Sequence, residues 1–189
     1  DLALMRVVPN MTVIAPCDPV EMRKATLAAA GMDGPVYLRV ARPVVANITD
    51  PADPFVVGRA ALLKDGGDIA LVSTGLMTER ALKAAETLAR QGIRAAVLHL
   101  HTIKPFDKEA VRALAARTGG MVTCEEHSVI GGLYSRVCEA LVGHVPQGYR
   151  VEPVAIMDRY GRSGKPEDLF AFYGLTARDI AARAAGVLV

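Results

Sequence analysis

The 189-residue chain carries no polar low-complexity tract, no internal repeat of fixed period and no excess of charge of either sign. With 22 basic and 20 acidic residues its net charge is +2, which removes any bulk drive toward nucleic acid or an anionic membrane. Charge or glycine interrupts every apolar run well short of the ~18 residues that suggest a membrane span, and no signal-peptide pattern opens the chain. These absences predict a soluble, cytoplasmic protein with neither nucleic-acid nor membrane partners. Cysteine is scarce: Cys17, Cys124 and Cys138 are odd in number and lack C-x-x-C spacing, so reduced thiols are expected rather than a disulfide framework or a zinc site of that kind. An initiating methionine is also missing, and a chain opening on Asp1 and the amphipathic L-A-L-M-R-V-V reads as truncated or processed.

What is there has the makeup of a globular protein, at 51% hydrophobic and 22% charged residues. The pattern predicts the tail of a helix through Val8, a strand over Thr12 to Ala15, a helix from Pro19 to Ala30 and a strand from Val36 to Val40. Asp18, Pro19 and Glu21 form a strong helix start, with an acceptor at the N-cap, a proline at N1 and a carboxylate at N3. From Pro43 to Pro54, three prolines and several turn-formers disrupt any regular element and mark a linker. It separates a segment of residues 1–42, too small to hold a core alone, from a domain over residues 55–189.

In that second part strands are expected at Ile69 to Ser73, Ala95 to Leu100, Met121 to Glu125 and Val151 to Met157. Helices are expected at Leu76 to Arg90, Asp107 to Arg117, Leu133 to Val142, Glu167 to Tyr173 and Ala177 to Ala185. Such alternation implies an α/β fold with a mostly parallel sheet and helices on both faces.

The run E-E-H-S-V-I-G-G-L from Glu125 to Leu133 is the first candidate site. Two carboxylates and a histidine can hold a metal or move protons, and Glu125, Glu126 and His127 fall where a strand is expected to end, the edge at which open α/β sheets bind ligands. His99 and His101 can point the same way on their strand, yet two histidines do not close a metal site. Gly131 and Gly132 fit a phosphate turn less well than a tight turn admitting another backbone, because neither G-x-G-x-x-G nor a P-loop is present.

Arg39 and Arg42 follow an apolar strand and lie on opposite faces if that strand continues. A guanidinium fork suits a phosphate; a surface ion pair is the alternative. The loop from Asp158 to Ser163 either lines a cleft or is a capped structural turn.

The same residues carry a family resemblance over nearly the whole chain. D-L-A-L-M-R-V-V-P-N-M-T-V-I-A-P-C-D-P-V-E-M-R and D-G-P-V-Y-L-R-V-A-R resemble the last part of the transketolase pyrimidine-binding domain. V-S-T-G, H-T-I-K-P-F-D, C-E-E-H-S-V-I-G-G-L and D-R-Y-G-R-S-G-K-P-E-D-L-F-A-F-Y-G-L-T resemble the transketolase C-terminal domain, and the whole resembles the C-terminal section, the second of the two subunits, of split bacterial transketolases. Residues 1–42 would then be the remnant of the pyrimidine-binding domain.

The resemblance implies transfer of a two-carbon ketol unit between sugar phosphates of pentose phosphate metabolism, with the ylid of thiamine diphosphate as nucleophile and electron sink and magnesium holding the diphosphate. It places Arg42 at a substrate-phosphate arginine of the family and matches Arg39 to one in deoxyxylulose-phosphate synthases. The family's cofactor-binding and catalytic residues precede the stretch matched here, so the chain is expected to supply no catalytic, cofactor or metal ligand, to hold no cofactor and to be inactive alone. Its expected partners are an N-terminal transketolase section, a second copy in a dimer, and the sugar phosphate. Two alternatives are the β-subunit section of a 2-oxo-acid dehydrogenase E1 component and a non-catalytic dimerising α/β module.

Overall fold

The computed structural model describes all of residues 1–189. Two sheets form. The larger has the order β3-β5-β4-β7-β8, from Ala61–Lys64 (β3), Ala95–His99 (β5), Ile69–Ser73 (β4), Gly120–Ser128 (β7) and Arg150–Ile156 (β8). All its pairings are parallel except β3 with β5. Strands β4 and β5 are buried along their whole length, as parallel strands covered on both faces must be. Pro153 sits within β8, where only an edge strand tolerates a missing donor.

Side chains alternate between two cores. Ile69, Leu71 and Val97 pack with Met77–Arg90 (α3), Pro166–Phe172 (α6) and Ala177–Val187 (α7). Ala70, Val72 and Leu98 pack on the other face with Lys108–Ala115 (α4) and Leu133–Leu141 (α5). This is the expected layered arrangement.

The smaller sheet, in the order β2-β1-β6, decides how the first segment is held. Thr12–Ile14 (β1) pairs in parallel with Val36–Leu38 (β2), but its other neighbour is Thr102–Lys104 (β6), antiparallel and drawn from the later part of the chain. Ala15 then donates to His101 O at 2.7 Å and accepts from Gly75 N at 3.2 Å, joining the two sheets through backbone alone. Leu2 of the first helix (α1, Leu2–Val7), Val13 and Ala15 are buried in the same core as Ala70 and Leu133. The first segment therefore shares its core with the rest.

Helix α2 spans Pro19–Ala30 as expected. Asp18 accepts from Glu21 N at 2.7 Å and also from Ile48 N and Thr49 N at 2.6 Å, while Lys24 donates to Asp50 O and Asp53 O. Residues 39–60 contain no helix or strand, yet these bonds tie them down on α2.

Three expectations need correction. β3 and β6 were not anticipated: one is a four-residue edge strand, and the other lies among polar residues before Pro105 and pairs only through tertiary contact. β2 stops at Leu38, so strand alternation says nothing about Arg39 and Arg42. β7 runs through Ser128, which puts Glu126 and His127 inside the strand with Glu125 rather than after its end. There the pairing with β8 shifts register between Cys124 and Ser128, freeing these side chains from a regular ladder. No helix is long and apolar enough to cross a membrane.

Candidate functional site

The Glu125-to-Leu133 run forms a clasp. The Glu125 carboxylate is fully buried and accepts from Leu133 N at 2.7 Å and Tyr134 N at 2.8 Å, capping α5, whose own N-cap Gly132 offers no side chain. A Cβ on Gly132 would overlap that carboxylate and lie 2.8 Å from His127 Nδ1. Gly131 has φ +74° and faces Ala3, whose Cβ would be 2.7 Å from an added Cβ. The glycine pair therefore serves close approach, by a carboxylate on one side and by α1 on the other.

Arg6 on α1 reaches across, donating to Gly132 O at 3.2 Å and to both Glu139 oxygens at 2.7 and 2.8 Å. Burial raises Glu125 to about 7, against the two backbone N–H groups and the charges of Arg6 and Arg39. Burial lowers His127, whose Nδ1 donates to Ser128 O at 2.8 Å and stands 3.8 Å from the Glu125 carboxylate. Both Glu125 oxygens accept backbone N–H groups at the start of α5, so this carboxylate ties β7 to that helix.

A second buried group was not legible as a unit in the sequence. Glu21, at N3 of α2, accepts from Cys17 N at 2.7 Å and contacts His99 Nε2 on β5 at 2.8 Å; His99 Nδ1 meets Thr78 Oγ1 at 2.8 Å, and Ser73 Oγ donates to Thr78 Oγ1 at 3.0 Å. Burial opposes the charge on Glu21, but its attraction and hydrogen bond to His99, with His101 and Cys17 N–H adding to them, bring it down to about 2. The signal available was a histidine within the apolar A-A-V-L-H-L run, since a buried polar side chain demands a partner.

His101 does face the same side, its ring centroid 5.9 Å from that of His99. Burial takes it down to about 4, and Phe55 stacks on it at 4.3 Å. Donor atoms of Cys17, Glu21 and His99 lie within 4.8 Å of one another. Burial and the neighbouring Glu21 and Asp18 push the Cys17 thiol far up, away from the thiolate a metal would need, and the Glu21–His99 hydrogen bond already satisfies the other two. The group is a closed network joining α2 to the large sheet.

The two arginines have different surroundings. Arg39 is half-buried and engaged: it pairs with Asp1 at 2.9 Å and Glu126 at 3.7 Å, and donates to Glu126 O at 3.0 Å. Arg42 is exposed, has no carboxylate partner and lines a cleft of about 320 Å³ at the carboxyl ends of β7 and β8. Gly161, Arg162 and Gly164 form another wall of that cleft. The Asp158-to-Ser163 loop thus lines a cleft; α6 has no side-chain cap, which sets aside the capped-turn alternative.

Residues 58–180 match the family model "Transketolase, C-terminal domain", and residues 1–47 match "Transketolase, pyrimidine binding domain". The chain is 44% identical over 180 residues to the 6-deoxy-6-sulfo-D-fructose transketolase subunit SqwH of Clostridium sp. (strain MSTE9), covering 95% of this chain and 55% of that protein. It is 37% identical over 181 residues to an apulose-4-phosphate transketolase subunit of Phocaeicola vulgatus, covering 95% of this chain and 57% of that protein. It therefore spans about half the length of the curated relatives it matches. A solved structure described as "Split gene transketolase, inactive beta4 tetramer" superposes with a TM-score of 0.94 at 44% identity, covering 99% of this chain and 61% of that one. With both models matched in order along a chain that folds as this one does, the protein belongs to the transketolase family.

Proposed function

We propose that this chain is the C-terminal section of a split transketolase, which joins an N-terminal section to transfer a two-carbon ketol unit between sugar phosphates. The observation that carries the reading is the succession of the two family models over residues 1–47 and 58–180, matched by subunit-type relatives that are themselves parts of a transketolase. The division into residues 1–42, a linker over 43–54 and a domain over 55–189 belongs to the same proposal.

Thiamine diphosphate with magnesium is the cofactor of the complete enzyme in this reading. The residues of this chain do not fit that group. A magnesium-held diphosphate needs oxygen ligands and room, whereas the one cluster of three metal-type donors is Cys17, Glu21 and His99, closed on itself and fully buried. The N-terminal section and the rest of the pyrimidine-binding domain would supply the cofactor site, and the chain alone would be inactive.

What this chain contributes to the substrate is Arg42. Its guanidinium is exposed and unpaired at the carboxyl edge of the sheet, in keeping with binding a sugar phosphate. Arg39 acts beside it, holding Glu126 in place. The assembly would form dimers or higher oligomers and act in pentose phosphate metabolism, and a cytoplasmic place fits its three free cysteines, two of them buried. Matches to transketolase subunits weigh against the oxo-acid dehydrogenase alternative.

Co-expression with an N-terminal section, followed by an assay of ketol transfer from a ketose phosphate to an aldose phosphate, tests this. Transfer is expected in the complex and not with the chain alone, and Arg42→Ala should raise KM for the phosphorylated acceptor. A complex that decarboxylates pyruvate and transfers no ketol unit would refute the assignment.

A further inference from the structure

The two oxygens of the Asp18 carboxylate serve different ends. Oδ1 accepts from Glu21 N at 2.7 Å and caps α2, while Oδ2 accepts from Ile48 N and Thr49 N, both at 2.6 Å. The Thr49 hydroxyl adds a donor 3.0 Å from each oxygen. Ser or Asn would cap the helix equally well, so the second oxygen matters only to residues 48 and 49. Asp18 is 4% exposed, and bonds to a carboxylate are about twice as strong as bonds between neutral groups, so this clamp is firm.

Arg42 lies between that clamp and another anchor. Arg39 N donates to Ile14 O at 2.8 Å, and the Arg39 guanidinium is held by Asp1 and Glu126. From residue 40 to residue 47 the backbone makes no hydrogen bond. Ala41 and Val45 pack against the core that holds α3, but a groove of about 190 Å³ opens between Val40, Pro43, Met22 and Leu76. A strap with room beneath it takes its course from its two ends, and Asp18 fixes one of them.

We propose that Asp18 is a positioning residue for Arg42: by clamping Ile48 and Thr49 it holds the strap over residues 40–47, and with it the place where the Arg42 guanidinium meets a substrate phosphate. The inference rests on the reading of Arg42 above and adds to it a buried residue that touches no substrate. A misplacement of about 1 Å can cost on the order of 100-fold, so a strap freed at one end weakens the phosphate contact without altering the chemistry.

Asp18→Ser separates the two duties, since one hydroxyl still accepts from Glu21 N but cannot also reach Ile48 and Thr49. Asp18→Asn is the companion variant: it keeps the shape and leaves a single amide oxygen for the donors that two oxygens now serve. In the full chain either change should quicken amide exchange at Ile48 and Thr49 about tenfold, with the interior of α2 still protected. In the reconstituted complex it should raise KM for D-ribose 5-phosphate about tenfold with kcat held, and leave KM for D-ribose unmoved. Combined with Arg42→Ala it should add nothing, because both changes act through one guanidinium. Unchanged exchange at Ile48 and Thr49, an equal rise in KM for both sugars, or an effect fully additive with Arg42→Ala overturns the positioning role, and ketol transfer by the parent complex then leaves the assignment standing. A parent complex that transfers no ketol unit removes the transketolase reading and this proposal with it, whatever the exchange shows.

Discussion

Glu21 in the first turn of α2 and Glu125 in β7, against the first turn of α5, are both buried and both accept backbone N–H groups, yet one is held at about 2 and the other rises to about 7. The difference is the third partner. Glu21 touches the His99 ring at 2.8 Å, close enough for charge and hydrogen bond to outweigh desolvation. Glu125 has dipoles in contact and only more distant cations, so desolvation prevails. One carboxylate joins α2 to the large sheet as an anion; the other joins β7 to the start of α5 through hydrogen bonds that tolerate a proton.

The strongest way to break this contrast is Glu21→Ala, which leaves His99 and Cys17 N–H buried without their partner. Removing one member of a buried pair costs about 3–5 kcal/mol, so urea unfolding should show a loss of that size, recovered in large part by a Glu21→Leu, His99→Leu double variant. A titration of stability against pH sharpens the comparison. Glu125 has its folded pKa raised, so its contribution is full below about 4.5, falls as pH rises toward about 7, and is gone above it, roughly 3 kcal/mol in total. Glu21 has the opposite sign: its contribution is present above about 4.5 and lost as pH falls through about 2. Denaturation of the parent and Glu125→Gln from pH 5 to 8 should differ by that falling slope, while His101, lowered to about 4, affects both alike. The smallest expected effect is Gly132→Ala, which pushes a methyl into Glu125 and His127. About 1–3 kcal/mol should be lost, with faster hydrogen exchange in the first turn of α5.

The large sheet was legible because its strands are continuous apolar runs bounded by glycine and by amphipathic helices, and α2 because Asp18, Pro19 and Glu21 announce it. β3 and β6 were not, since three or four residues carry too little pattern and β6 acquires its partner only from β1, some ninety residues earlier in the chain. Of the site, the arginines and the D-R-Y-G loop were visible as separate candidates. That Arg39 is spent on Asp1 and Glu126 while Arg42 and Arg162 share a cleft could not be read from their spacing.

The sequence by itself determined the class of fold, the order of the elements and the family, because periodicity, caps and motif order are properties of local chain. Tertiary structure decided what the polar residues do. His99 and Glu21 lie 78 positions apart and meet because α2 docks on β5, and Gly132 is a glycine because a carboxylate eight residues upstream of Leu133 in β7 folds back beneath it. Such pairings depend on distances that only the packed sheets fix, and with them the burial that sets each charge.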